Sequence, residues 1–179
     1  MSLTEPLFFD NDCLSAFLWV NYESILVKLY PGRIVIPSQV YTELSNPSVK
    51  GLKAQVDTLV KGGQAAVKSI NVPSAEYSLF SKLTQNPDPG YCVIGHGEAA
   101  AIVMAKEQGG ILASNNRRDI SDYVREFSLK HITTGAIMKE AMAASLIDEA
   151  QGNVIWQKMI IKRRWLVYPT FSEYLRNNP

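Results

Sequence analysis

Four places along the chain carry acids in settings that suggest chemistry. Asp10 ends the apolar run Leu7-Phe8-Phe9, and Glu43 follows Ile34-Val35-Ile36 by about one helical turn. Glu98 stands in the first turn of an Ala-rich helix, and the polar run Ser114-Asn115-Asn116-Arg117-Arg118-Asp119 follows Ile111-Leu112-Ala113. Glu98 is the most informative. Ala101, Ile102 and Ala105 lie three, four and seven positions on, so Glu98 continues the stripe that packs on a sheet. A carboxylate on such a stripe wants a metal, a cation or a proton. Each acid alone has a plainer reading: Glu98 as an acid favoured at a helix N-terminus, Glu43 as a solvated helix acid, Asp10 as a strand-end or N-cap residue, with Asp12 the better placed of the two to cap the next helix. The conjunction changes the odds. Carboxylates converging from separate elements repel one another unless a divalent cation neutralises them, and oxygen-only ligation suits Mg²⁺ or Mn²⁺.

The elements that would position these acids alternate between strand and helix. Leu7 to Phe9 reads as a buried strand, followed by a helix through Leu14, Phe17, Leu18, Ile25, Leu26 and Leu29 that Pro31-Gly32 stops. Ile34 to Ile36 is a second strand, and Val40 to Leu44 one or two helical turns. Leu52 to Val60 marks a helix, Val67 to Val72 an edge strand, and Ser74 caps a further helix. Gly95-His96-Gly97 opens the Ala-rich helix to Gln108, and Ile111 to Ala113 is a core strand. A helix over Ile120 to Phe127, a strand near Lys130 to Thr133 and a helix from Thr134 to Ala144 extend the alternation. The pattern predicts an α/β sheet, whose ligands sit at the C-terminal ends of the strands.

Four segments resemble, in order and at matching spacing, the acidic motifs of a PIN domain. They are Phe9-Asp10-Asn11-Asp12 to Phe17, Ile36-Pro37-Ser38-Gln39-Val40-Tyr41-Thr42-Glu43-Leu44, Gly97-Glu98-Ala99-Ala100-Ala101-Ile102, and Ile111 to Asp119. The resemblance covers roughly residues 6 to 135. It implies a three-layer α/β/α fold with a central, mostly parallel sheet, and a metal-dependent ribonuclease activity such as that of toxins in toxin–antitoxin pairs. Asp10, Glu43 and Glu98 match the first three acidic positions. Many PIN domains place Thr or Ser, any residue, then Asp in the fourth motif, whereas Ser114-Asn115-Asn116 puts a neutral amide at the Asp place. Asn116 offers a metal a carbonyl oxygen but no charge, and Asp119 one turn on is a substitute. Asp12 can also restore a negative charge to the first motif. The resemblance thus implies Asp10, Glu43, Glu98, Asn116 and Asp119 as catalytic, with Asp10, Glu98 and Asp119 holding Mg²⁺ or Mn²⁺. It turns Ser114, Arg117 and Arg118 toward single-stranded RNA, with Ser114 and Asn116 orienting the outer shell.

Composition narrows the field. The 179 residues carry a formal charge of +1, so no global field draws the chain to nucleic acid, and any such binding must come from a local patch. Apolar runs fall far short of the roughly 20 residues of a membrane span, and the N-terminus lacks a secretory pattern, so a cytoplasmic compartment is expected. Cys13 and Cys92 are too few for a disulfide framework and read as reduced, buried side chains. Residues 1–145 form the expected α/β domain. Residues 146–179 form a helical extension packed on it, with helices over Asn153 to Arg164 and Thr170 to Arg176. The apolar face of this tail either packs back on the domain or meets an antitoxin or a second copy. Two other functions remain open: a catalytically impaired PIN-like module that binds RNA or protein, motivated by Asn116, and a dinucleotide-binding protein using Gly95-His96-Gly97-Glu98-Ala99-Ala100.

Overall fold

The computed structural model describes residues 4–46, 49 and 51–178, with the backbone alone at Arg117. Five short strands, β1 (Leu7–Phe9), β2 (Ile34–Pro37), β3 (Ala65–Lys68), β4 (Ile111–Ala113) and β5 (Lys130–Ile132), form one sheet in the order β3-β2-β1-β4-β5. Every pairing is parallel, with Leu7 opposite both Ile34 and Ile111, and Phe9 opposite Ala113. Helices cover both faces, as a parallel sheet requires. Side chains alternate across it: Leu7, Phe9, Ile34, Ile36, Ile111 and Ala113 enter one apolar cluster, and Phe8, Val35 and Leu112 the other. The chain moves from β1 outward to β2 and β3, then returns to place β4 on β1's other side. This reversal puts the switch point of the fold between β1 and β4 and opens the ligand-binding end of the sheet there.

Around the sheet lie α1 (Asn11–Leu18), α2 (Glu23–Leu29), α3 (Ser38–Glu43), α4 (Leu52–Lys61), α5 (Ala75–Gln85), α6 (His96–Glu107), α7 (Arg117–Glu126), α8 (Thr134–Ala143), α9 (Glu149–Ile161) and α10 (Phe171–Asn177). The first helix expected from the sequence is two. Asn21 takes a left-handed backbone (φ 58°), and the Tyr22 N–H returns to the Phe17 carbonyl, so the chain turns while its apolar positions keep their spacing. The edge strand is earlier than expected, at Ala65–Lys68, because its span is set by pairing with the four residues of β2. Helix α7 starts at Arg117 because Asn116 caps it, and α9 starts at Glu149 because Asp148 and Gln151 bond each other's backbone N–H at 2.7 and 3.0 Å. Helix α9 ends at Ile161, and Arg163 just beyond has φ 57°. Cys13 is buried as expected, but Cys92 is exposed in the loop before α6.

The tail joins the main core. Ile155, Trp156, Met159 and Phe171 share the cluster that holds Leu7 and Phe9. Gly152 permits this closeness: a Cβ there would lie 2.3 Å from the Phe171 ring. Among the described residues no helix is long and apolar enough to cross a membrane.

Candidate active site

Asp10 is the residue immediately after β1, and its backbone N–H extends the sheet by bonding to Ala113 O at 3.0 Å. It is the N-cap of α1: Oδ1 accepts from the Cys13 N–H at 2.7 Å. The cap therefore belongs to Asp10, and Asp12, the residue expected to hold it, is exposed in the first turn. Oδ2 of Asp10 accepts from the Ser114 hydroxyl, which arrives from the end of the neighbouring strand β4. Two donors do not compensate full burial. Desolvation, with repulsion from Asp12 and Glu98, pushes the Asp10 carboxyl up to about 7.

Glu43 ends α3 and faces the start of α6. Oε1 accepts from the Gly97 N–H at 3.0 Å, and Oε2 accepts from the Asn11 side-chain amide at 3.0 Å. Gly97 is needed for this approach, since a Cβ would come within 2.7 Å of the Glu43 carboxylate. Glu98 bonds back to the Gly95 N–H through Oε2 at 3.3 Å and accepts from Asn116 Nδ2 through Oε1 at 2.5 Å. Its burial raises the pKa against the pull of the Asn116 and Gly95 bonds, and Asp119 and Asp12 raise it further. Asp10, Asp12, Glu43 and Glu98 with Asn11 and Gly95 line one cavity of about 150 Å³.

Asn116 occupies a pivotal place. Its Nδ2 donates to both Glu98 and Asp119, the latter at 2.8 Å, while its Oδ1 accepts weakly from the Asp119 N–H at 3.4 Å. The amide thus turns donors toward the acids and its carbonyl toward α7, the reverse of the metal-facing carbonyl expected from the sequence. Asp119 is exposed at the rim, and Arg118 is exposed beside it. Ser114 is buried, and its hydroxyl donates to Asp10, the orienting role expected of it rather than a direct contact at the cavity surface. The Arg117 side chain lies outside the described residues.

Sequence reasoning missed four participants. Asn11 and Gly97 hold Glu43, and Asn115 ties the loop to α8 through paired bonds with Thr134 at 2.8 and 2.9 Å. Arg164 reaches from beyond α9 to donate to Ser15 Oγ at 2.9 Å and lies 3.7 Å from Asp12, offsetting the extra charge of the first motif. Asn11 and Gly97 flank their acids within the motifs and so carried a readable signal; the pairing of Arg164 with Ser15, 149 residues away, left none.

These acids form an all-oxygen donor set, and the raised pKa values of two of them are those of carboxylates lacking a neutralising charge. In donor chemistry they suit a hard divalent cation. Among the described residues, no three His, Cys, Asp or Glu side chains are gathered tightly enough to form a ready cage. Closure on a cation would have to exchange hydrogen bonds now made to Ser114, Asn116 and backbone N–H groups.

The family model DUF3368, described as a PIN domain, matches residues 7–178. This chain belongs to the PIN-domain family. The match includes the helical tail, which the sequence motifs alone did not reach. No curated protein and no solved structure matches the chain. The PIN domain is a nuclease-type fold, and its members are in general dependent on divalent metal. The dinucleotide alternative fails on context: Tyr91–Ile94 is not a strand, and the Gly95 and Gly97 N–H groups that would receive a pyrophosphate are bonded to Glu98 and Glu43.

Proposed function

We propose that this PIN domain is a divalent-metal-dependent ribonuclease that hydrolyses phosphodiester bonds in single-stranded RNA, and that it serves as the toxin of a toxin–antitoxin pair. The observation that carries the reading is the convergence on one cavity of Asp10, Glu43 and Glu98, with Asp10 held buried at a pKa of about 7. Asp10 and Glu98 would hold Mg²⁺ or Mn²⁺, with Asp119 and Glu43 completing the acidic ring. When bound, the cation supplies Lewis-acid activation of water and neutralises charge at the phosphate. The chain's own residues do the rest. Ser114 and the Cys13 N–H fix the Asp10 carboxylate, Gly97 and Asn11 fix Glu43, and Asn116 holds Glu98 and Asp119 in register across the cleft. Arg118 at the rim supplies positive charge for the phosphate backbone.

The test is cleavage of single-stranded RNA with Mn²⁺, with EDTA, and with Asp10→Asn. Activity that EDTA and Asp10→Asn both abolish supports the reading; cleavage undiminished in the variant overturns it. A thermal melt unmoved by millimolar Mn²⁺ would remove the metal site. Growth arrest on expression of the wild type, and none with Asp10→Asn, tests the toxin role. A second reading, a catalytically impaired module that binds RNA or protein, is favoured by one observation: the Asn116 amide already bridges Glu98 and Asp119 where a cation would act. RNA binding without metal-stimulated cleavage would select it.

A further inference from the structure

We infer that a groove beside the acidic cleft is a subsite for an unpaired nucleobase, with Trp165 as its stacking wall; this rests on the ribonuclease reading above. The groove, about 510 Å³, is lined by the apolar Trp165 and Val167 together with the polar or charged Asp12, Asn116, Arg118 and Asp119. That volume falls within the range of sites that enclose small organic groups. Asp12 lines both this groove and the acidic cavity, so the two adjoin.

The tail treats its two tryptophans oppositely. Trp156 is 1% exposed, with its indole N–H on Tyr168 O at 2.8 Å, whereas Trp165 is 81% exposed. The segment that carries Trp165 is nevertheless tied down on both sides. Arg164 bonds to Ser15, Lys162 Nζ sits 5.6 Å over the Trp19 ring, and Gln157 Nε2 bonds to Pro169 O at 2.6 Å. These ties hold the backbone on either side of Trp165 in place and leave the indole itself open to solvent, where a flat ligand can cover it. A base matches the chemistry of this lining, with a π-face for Trp165 and a polar edge for Asn116 and Asp119, while Arg118 supplies charge for the adjoining phosphate. A base inside a duplex has no free face, so the subsite selects single strands. Ile161, 75% exposed nearby, does not line the groove, which separates a base subsite from a broad protein-binding face.

The experiment measures the affinity for a phosphorothioate-backbone oligouridylate, with Mg²⁺ present, by fluorescence anisotropy. Trp165→Ala should weaken binding by about 5- to 150-fold, the range for loss of one base–aromatic stack. Trp165→Phe should keep most of the affinity while losing the quenching of Trp165 emission, and Ile161→Ser should change neither. Thermal melts of all three should match the wild type, because these side chains are exposed. Equal affinity of Trp165→Ala and wild type overturns the subsite while leaving the ribonuclease reading intact. If Trp165→Ala and Ile161→Ser instead dissociate a dimer in sedimentation and leave RNA affinity unchanged, the face belongs to a second copy and the subsite is wrong. A wild type that neither binds nor cleaves RNA overturns both readings.

Discussion

The two ends of β1 and β4 are equally buried and oppositely equipped. At the N-terminal end, Leu7 N–H bonds to Arg33 O at 2.8 Å and Ile111 N–H to Pro6 O at 2.9 Å, while Glu5 takes the Arg33 guanidinium on its carbonyl at 2.7 Å and Lys130 on its carboxylate. Gly110 is pressed so closely there that a Cβ would lie 2.5 Å from the Phe8 ring and 2.7 Å from Pro6 O. At the C-terminal end, one residue beyond the same strands, stand Asp10 and Ser114, with Glu98 and Asn116 beside them. One end sets its carboxylate, Glu5, against a lysine; the other keeps a buried carboxyl that accepts only from neutral donors, at a pKa of about 7. The difference teaches what the acidic end lacks. This sheet can close an end with its acid set against a cation, so Asp10 and Glu98, held at a desolvation cost on neutral donors, point to a cationic ligand that offsets it.

The comparison breaks most visibly at the N-terminal end. Gly110→Ala should destabilise the protein by about 1–3 kcal/mol, because the clash is with a fixed carbonyl and a packed ring and the backbone must move. Denaturant unfolding measures it, and stability equal to wild type would mean that this end is not close-packed. The opposite sign is expected at the acidic end. Folded Asp10, at about 7, lies above the ordinary carboxyl value of 3.8. Its contribution to stability is therefore fully present below 3.8 and is lost as pH rises through about 7. Asp10→Asn keeps an acceptor for the Cys13 N–H and removes the charge, so the metal-free variant should gain about 1–2 kcal/mol over wild type at neutral pH, with the gap closing toward acid. Melts from acid to neutral pH in EDTA would show the reverse trend if Asp10 were a structural anion. Gly97→Ala sharpens the contrast at smaller cost. The intruding Cβ meets the movable end of Glu43 rather than backbone, so about 1 kcal/mol of stability should go, while metal-stimulated cleavage falls further than stability does.

What was legible in the sequence follows the range of the interactions involved. Strand runs such as Leu7–Phe9 and Ile111–Ala113 read directly, since burial on both faces makes them continuously apolar. The acids read by type and order, because a carboxylate beside a core stripe is improbable without a task. The break at Asn21 did not, since Leu18 and Ile25 keep helical spacing across a turn set by one left-handed residue. Nor did the pairing of Arg164 with Ser15 or the placement of Trp165 beside Asp119, which depend on how α9 folds back over the sheet. Asp12 was read as a cap and as spare charge; the cap went to Asp10, whose position at the strand end lets one carboxyl serve the helix and the cleft together.

The smallest expected effect lies where this chain departs from the common motif. Asn116 Nδ2 supplies N–H donors to Glu98 and Asp119, so in the absence of metal it does part of a cation's work. Asn116→Asp keeps the volume and a good α7 cap but replaces two donors by a third carboxylate. The metal-free protein should lose about 0.5–1 kcal/mol, the worth of the exchanged hydrogen bonds, most of it at neutral pH where the added acid is ionised. With Mn²⁺ the sign reverses, because the added charge is now attracted, and calorimetry should show tighter binding than in the wild type. The paired measurement separates two roles for one residue. A loss of metal-free stability with no gain in Mn²⁺ affinity would make Asn116 a strut between Glu98 and Asp119 that faces no cation, and the two ends of the sheet would then differ in how their acids are held but not in purpose.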